Sequence, residues 1–245
     1  MIITVTLNPA IDKTVTVKNF RIGELNRIDN VQIDAGGKGI NVSKTVQSLG
    51  GESVAMGFLG GSAGEQIRQL LSEQRIQNEF IQIKNATRTN MKVVDDAGHV
   101  TELNEPGPVV SDAEMKQFQE CLAGRVKTGD VVVLSGSIPK GISSQCYADL
   151  TRQIHQAGAE VFMDADGALF AESLKAKPDV IKPNLEELEQ YAKQTGIVCE
   201  DMDAVKRAVF LGKQCKALGI SEVLVSMGSL GAVFLTEALC CFVSE

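Results

Sequence analysis

Short apolar runs alternate with stretches of helical periodicity along most of the 245 residues, and no other feature restricts the fold as much. Strand-length runs of β-branched residues, each followed by an amphipathic segment, build βαβ units and a mostly parallel sheet with helices on both faces. Residues 2–7 (IITVTL) read as the first strand, and residues 38–49 as a helix in which Ile40, Val42, Val46 and Leu49 share one broad face. A strand at 53–58 follows, then a helix at 64–72 with Ile67, Leu70 and Leu71 inward. VVVLSG at 131–136 is a continuous apolar run of the kind buried on both faces of a sheet. A helix around 144–157, strands at 160–165 and 179–182, a helix from Asn184, a long helix near 201–218 and a strand at 223–228 continue the alternation. The expected architecture is α/β and doubly wound.

Two stretches break the rhythm. Residues 13–34 and 78–105 lack a helical period and are rich in Thr, Val, Ile and Asn, so each reads as a pair of short strands. The second pair turns at DDAG, 95–98. Four such strands either form a small sheet over a ligand cleft or extend the main sheet at its edge. No repeat, low-complexity tract or long linker is present, so residues 1–245 are expected to form one domain.

Lys plus Arg total 24 against 31 Asp plus Glu, a net charge of −7. That balance speaks against a nucleic-acid partner, whose binding draws on an excess of cations. It leaves room for one cationic pocket that captures a small anion. The opening MIITVTLNPAID has no basic stretch leading into an apolar one, and no later segment reaches membrane-spanning length. A soluble, cytoplasmic protein with no membrane partner is expected. The six cysteines (Cys121, Cys146, Cys199, Cys215, Cys240, Cys241) show no CxxC and no zinc-type Cys/His pair, so reduced thiols are expected, with Cys240 and Cys241 in a late strand. His99 and His155 are too scattered for a metal site and are expected at the surface.

Five strings could carry chemistry. In DAGGKGINVS (34–43), glycines at 36, 37 and 39 stand just before a helix, where backbone N–H groups and the helix N-terminus can approach an anion. Lys38 adds a mobile charge there, and Asn41 can hold a hydroxyl. The string is neither a GxxxxGK[ST] loop nor a GxGxxG fingerprint, and a tight strand-to-helix turn would also explain it. Asp12 follows the first strand, at the carboxyl end where open α/β sheets bind ligands, although turn chemistry also uses aspartate. Arg88 in TRTNMKV (87–93) suits bidentate phosphate contact or an exposed edge strand. In KPNLEEL (182–188), Asn184 and Glu187 have the spacing of a capping box, and equally of a pair that orders hydrated Mg²⁺ beside phosphates. VSMGSLGA (225–232) is a strand followed by a glycine turn that could wrap a nucleotide.

Together these strings resemble the carbohydrate kinases of the PfkB (ribokinase-like) family. Gly36, Gly37, Lys38, Gly39, Asn41, Ser43, Gly50 and Gly60 fall at the spacing of that family's first signature. TLNPAID, TRTN, ELNEPGP (102–108), SGSIP (135–139), KPNLEEL and SMGSLGA then follow in family order, over essentially the whole chain. NPAID, GGKGIN and TRTN resemble the branch whose acceptors already carry a phosphate. The resemblance implies a three-layer α/β sandwich with a small β lid drawn from 13–34 and 78–105. It implies ATP and Mg²⁺ as cofactors, and a fructose 1-phosphate acceptor before a tagatose 6-phosphate one.

Position by position, it implies that Asp12, Gly37, Lys38 and Asn41 hold sugar hydroxyls while Arg88, with help from Lys38, takes the substrate's phosphate. Lys182, Asn184 and Glu187 would lie at the ATP phosphates, the last two reaching Mg²⁺ through water. Ser226, Gly228 and Gly231 would line the nucleotide. Asp164 stands in DADG where the family has DSSG or DTSG, and Arg27 is a further phosphate candidate across a homodimer built through the lid.

The family's second signature, GAGD, does not occur in the 245 residues. It carries the aspartate that takes the acceptor's proton and N–H groups that stabilise the transferring phosphoryl, so the base is expected beyond Glu245 and the fold's C-terminal part is expected to be absent. Turnover by these residues is then expected to be crippled, because one lost donor of this kind costs about 2.7–4 kcal/mol and a lost base a further 10²–10⁴-fold, roughly. Apolar sheet surface is expected to be left uncovered. A non-catalytic sugar-phosphate binder and a non-functional fragment are the competing readings. The absent GxGxxG sets a dinucleotide-dependent oxidoreductase well behind them.

Overall fold

A computed structural model describes residues 1–199 and 202–244. Two compact units make up the chain: an N-terminal unit of Thr4–Phe118 with Ile138–Ile142, and a C-terminal unit of Met1–Ile3, Gln119–Ser137 and Ser143–Glu245.

The first strand, β1 (Ile2–Thr6), starts in the C-terminal unit and ends in the N-terminal one. In the N-terminal unit two sheets form. A small one runs in the order β3-β2-β6-β7, from β2 (Ala10–Val17), β3 (Asn30–Gly36), β6 (Arg88–Asp95) and β7 (Val100–Asn104). The other has the order β1-β4-β5, with β4 (Ser53–Leu59) buried at every residue and paired in parallel with β5 (Gln77–Gln82). Of the stretch 78–105, therefore, only β6 and β7 join the small sheet. Residues 78–82 lie beside β4, because a bare strand pattern does not say which edge it will pair with.

Two helices follow the same sheet. In α1 (Lys38–Ser48), Gly39, Ile40 and Ser43 are buried. The expected inward Leu49 is instead the C-cap residue and 82% exposed. The helix ends before that position completes the apolar face, and Ser43 takes an inside place. Its hydroxyl lies 2.7 Å from Thr4 Oγ1 and accepts from Ser53 Oγ at 2.9 Å, so the buried polar atom is satisfied by both neighbouring strands. Helix α2 (Gly61–Glu73) buries Ile67 and Leu71 against a cluster with Ala55, Leu59 and Phe80.

Register gives the small sheet two different faces. Lys13 pairs with Ile33 and Met91, and Met91 with Leu103, while Val15 pairs with Val31 and Val93. Cross-strand partners point the same way, so these residues make a largely apolar face that also carries Lys13, and on it Val15, Val17 and Val93 pack with Phe20 and Met91. The opposite face carries Asp12, Asp34, Asn90 and Asn104. The DDAG turn is present, with Asp95 Oδ1 accepting from the N–H groups of Ala97 and His99.

Helix α3 (Asp112–Arg125) was not expected from periodicity, and it passes from one unit to the other with Phe118 and Leu122 buried. The C-terminal unit continues with β8 (Val131–Ser135), α4 (Cys146–Gln156), β9 (Glu160–Asp164), α5 (Gly167–Leu174) and β10 (Val180–Ile181). After these come α6 (Leu185–Thr195), α7 (Ala204–Ala217), β11 (Glu222–Ser226), β12 (Ala232–Leu235) and β13 (Cys240–Val243). Part of the long helix expected near 201–218 falls at residue 201, outside the described residues. The strand order is β13-β12-β11-β10-β9-β8. Strands β8 to β11 are parallel, and β12 and β13 return antiparallel.

The run at 131–136 is not buried on both faces. Val132 and Leu134 are buried, whereas Val131 and Val133 are half-buried and Val133 pairs with the 37% exposed Phe162. One face of this sheet is thus incompletely covered. His155 is not a plain surface residue either: its Nε2 sits 2.9 Å from Asp179 Oδ2, an oxygen that also accepts the Val161 N–H.

Candidate functional site

In the N-terminal unit, Asp12 on β2 sits across from Asp34 on β3 and Asn90 on β6. Asn90 Nδ2 donates to Asp12 Oδ1 at 3.1 Å, which fixes the carboxylate at the edge of the glycine turn. Gly36 makes that placement possible, since a Cβ there would fall inside the Asp12 carboxylate. Gly37, the N-cap of α1, turns with φ +124°, and a Cβ at 37 would strike the Thr6 methyl. A Cβ at Gly39 would meet the Thr6 hydroxyl and the Val5 carbonyl. The glycines of GGKG let this backbone lie directly on the end of β1, as a cradle for a bound anion requires. Lys38 and Asn41 are exposed on the first turn of α1.

Arg88 opens β6 two residues before Asn90, on the same strand face. Its guanidinium donates to the carbonyls of Glu105 and Asn8, each at 3.3 Å, and its Nε is buried with no hydrogen-bond partner. Burial pulls its pKa down and the charge of Asp12 pulls it back up, the first effect being the larger. Arginine stays cationic across such shifts. The guanidinium thus has two long hydrogen bonds, one unmet N–H and the Asp12 carboxylate as its anionic neighbour. Arg27 lies in the exposed loop between β2 and β3.

In the C-terminal unit the carboxyl ends of parallel strands carry the other residues. Lys182 follows β10 and pairs with Asp164 Oδ2, at the end of β9, at 3.1 Å. Asn184 caps α6 in a complete capping box: its Oδ1 accepts the Glu187 N–H, and Glu187 Oε2 accepts the Asn184 N–H, both at 2.8 Å. A bridge from Asn184 to Ser226 and a hydrogen bond from the Ser226 N–H to the Pro183 carbonyl bring the KPN turn against the end of β11. The turn beyond β11 needs its glycines, Gly228 at φ +58° and Gly231 at φ +100°, and a Cβ at 231 would collide with the Val243 carbonyl.

Lys182, Asp164, Asn184, Glu187 and Ser226 therefore converge. No group of three or more His, Cys, Asp or Glu side chains among the described residues could hold a metal by itself. Asp164 and Glu187 are the carboxylates at these strand ends, and one or two carboxylates beside phosphates and water is how Mg²⁺ is commonly bound.

Sequence reasoning passed over Thr6 and Asn90. Asn90 could have been found from strand alternation, because it shares a face with Arg88. Thr6 could not, since only the folded turn brings the glycines onto it.

A mostly parallel α/β chain with a phosphate-type glycine turn and cation-bearing strand ends is the framework of a small-molecule phosphotransferase. Residues 5–244 match the pfkB family carbohydrate kinases, and the chain belongs to that family. It is 38% identical to a 1-phosphofructokinase of Bacillus subtilis, over 97% of this chain and 75% of that protein. It is 36% identical to a tagatose-6-phosphate kinase of Staphylococcus epidermidis, over 95% of this chain and 74% of that protein. Among solved structures it is similar to Escherichia coli phosphofructokinase-2, known with fructose-6-phosphate and in a tetrameric inhibited form. That likeness has a TM-score of 0.89 at 26% identity, covering 99% of this chain and 79% of the other.

Proposed function

We propose that this chain is a sugar-phosphate kinase that draws its phosphoryl group from Mg²⁺-ATP, with fructose 1-phosphate as acceptor and fructose 1,6-bisphosphate as product. The observation that carries the reading is Arg88, whose buried Nε lacks a partner on the strand face it shares with Asn90, the residue bonded to Asp12. A phosphate on the acceptor would offer that N–H a charged oxygen. The 38% identity to a 1-phosphofructokinase supports the choice of sugar. Tagatose 6-phosphate is the second acceptor to consider, favoured by the 36% relative.

In this reading Arg88 takes the phosphate already on the sugar, with Lys38 beside the glycine turn. Asp12, the Gly37 backbone and Asn41 receive the hydroxyls. Bound Mg²⁺-ATP supplies the phosphoryl group and a cation that neutralises its charge. Lys182 would hold the nucleotide's phosphates, Asn184 and Glu187 would order the cation's waters, and Ser226, Gly228 and Gly231 would flank the nucleotide. A kinase of this kind works where ATP is plentiful and thiols stay reduced, which suits a cytoplasmic setting and six free cysteines.

Isothermal titration tests the reading. Fructose 1-phosphate is expected to bind saturably and more tightly than tagatose 6-phosphate. Arg88→Ala is expected to lose about 10–100-fold or more in affinity, the worth of one or two charge-assisted hydrogen bonds. No heat at millimolar ligand would sink it. Because no aspartate in these 245 residues stands in a GAGD-type motif, we expect them alone to bind with little turnover. Substrate-dependent ADP release at enzyme-like rates would overturn that expectation.

The apolar face of the small sheet supports a homodimer through the lid. Ile33 at 37%, Val31 at 44% and Leu103 at 56% exposure lie in rows with Met91 and Val15 on one side of it. An open apolar sheet face of this sort is a ready surface for a second copy.

A further inference from the structure

We infer that Asn90 sets which sugar phosphates the N-terminal unit accepts, by taking a hydrogen bond from a sugar hydroxyl at its amide oxygen while its NH₂ group holds Asp12. The inference rests on the sugar-phosphate reading above. A carboxylate can only accept, so the atom 3.1 Å from Asp12 Oδ1 is the Asn90 nitrogen, and the amide oxygen is left to face elsewhere. That oxygen is buried and has no hydrogen-bond partner.

Native chains rarely leave a buried acceptor unmet, and where they do a ligand or water commonly completes it. The hydroxyl of Thr6, which is 2% exposed beneath the glycine turn, and Arg88 Nε are in the same condition, as is Gln74 Oε1 at the C-terminal end of α2. Arg88 and Asn90 share a strand face, and Asn90 pairs with Asp12 by register. An amide acceptor and a carboxylate beside a cationic donor complement a molecule that presents hydroxyl protons next to an anion. Inorganic phosphate satisfies only the arginine. A sugar phosphate can satisfy both, and it is discriminated at the hydroxyl that meets Asn90, because a deoxy sugar leaves the oxygen buried and unpaired.

Titration of the whole chain with fructose 1-phosphate and its 3-deoxy and 4-deoxy analogues, with inorganic phosphate as competitor, tests this. Asn90→Ala is expected to bind fructose 1-phosphate roughly tenfold more weakly, the loss of one uncharged hydrogen bond, while inorganic phosphate competes as before. One deoxy analogue is expected to bind the unaltered protein about tenfold more weakly and to lose nothing more in Asn90→Ala. Equal binding of fructose 1-phosphate by both proteins would overturn the inference. So would a further loss of both analogues in the variant as large as that of fructose 1-phosphate. Should Asn90→Ala fail to unfold cooperatively, the unaltered protein decides: full-strength binding of both deoxy analogues refutes the role. In each of these refutations Arg88-dependent binding would persist and the kinase reading would stand. Absence of binding by the unaltered protein would remove both.

Discussion

At position 37 the backbone turns with φ +124°, a conformation that L side chains rarely adopt, and the Thr6 methyl occupies the space a Cβ would need. Gly37→Ala is therefore expected to cost about 1–3 kcal/mol in strain, read as a drop of roughly 2–12 °C in Tm, and to weaken sugar-phosphate binding as the turn shifts. A variant with unchanged Tm and affinity would refute the part given to this turn. The cysteines separate by environment in the same way. Burial pushes the thiols of Cys146 and Cys215 up to about 12, so neither has appreciable thiolate at pH 8, whereas Cys240 is exposed. Brief iodoacetamide treatment of the folded protein at that pH, followed by peptide mass spectrometry, should label Cys240 and spare Cys146 and Cys215. The candidate residues stood out in the sequence because their chemistry is local: a glycine string, a lone arginine after a threonine, an Asn–Glu spacing. Thr6 and Asn90 did not, because what marks them is burial and register, which one strand's sequence does not contain.

Helix α6 begins on a capping box that uses the same Asn184 and Glu187 assigned to the hydrated cation. Asn184→Ala should cost about 0.5–2 kcal/mol of stability, whatever the residue does for a nucleotide. The two roles separate if ATP affinity falls further than the loss of Tm explains, measured with and without Mg²⁺. The small sheet carries its own prediction. Placing glutamates at both Ile33 and Leu103 should give a monomer by sedimentation at concentrations where the unaltered chain is dimeric, and a monomeric unaltered chain would refute the lid interface. Strand and helix alternation was readable wherever apolar period was strong, as in β4 and α2. It failed for α3, where buried Phe118 and Leu122 stand among polar residues in DAEMKQFQECLAGR. It also misjudged β5, because a polar strand such as QNEFIQ does not say which sheet it joins.

For the molecule as a whole, acid is expected to be the weak direction. Hydrogen bonds hold several carboxyls below the usual range: Asp95 through His99, Glu114 through the Ser111 backbone, Asp203 through the Lys206 backbone, and Asp130 through the N-terminal ammonium. A depressed native pKa contributes stability above the unfolded value, and that contribution is lost as pH falls through the native one. Tm should therefore hold from neutral pH to the ordinary carboxylate range and decline below it, and a Tm that rises on acidification would contradict this. The central claim, that the N-terminal unit holds a sugar through its phosphate, is tested most directly by comparing fructose 1-phosphate with fructose in one titration series. The account predicts saturable binding of the phosphate ester at concentrations on the order of 1 μM to 1 mM, the span of enzyme KM values in general, and none of fructose over the same range. Equal affinity for the two, or no binding of the ester, would contradict it.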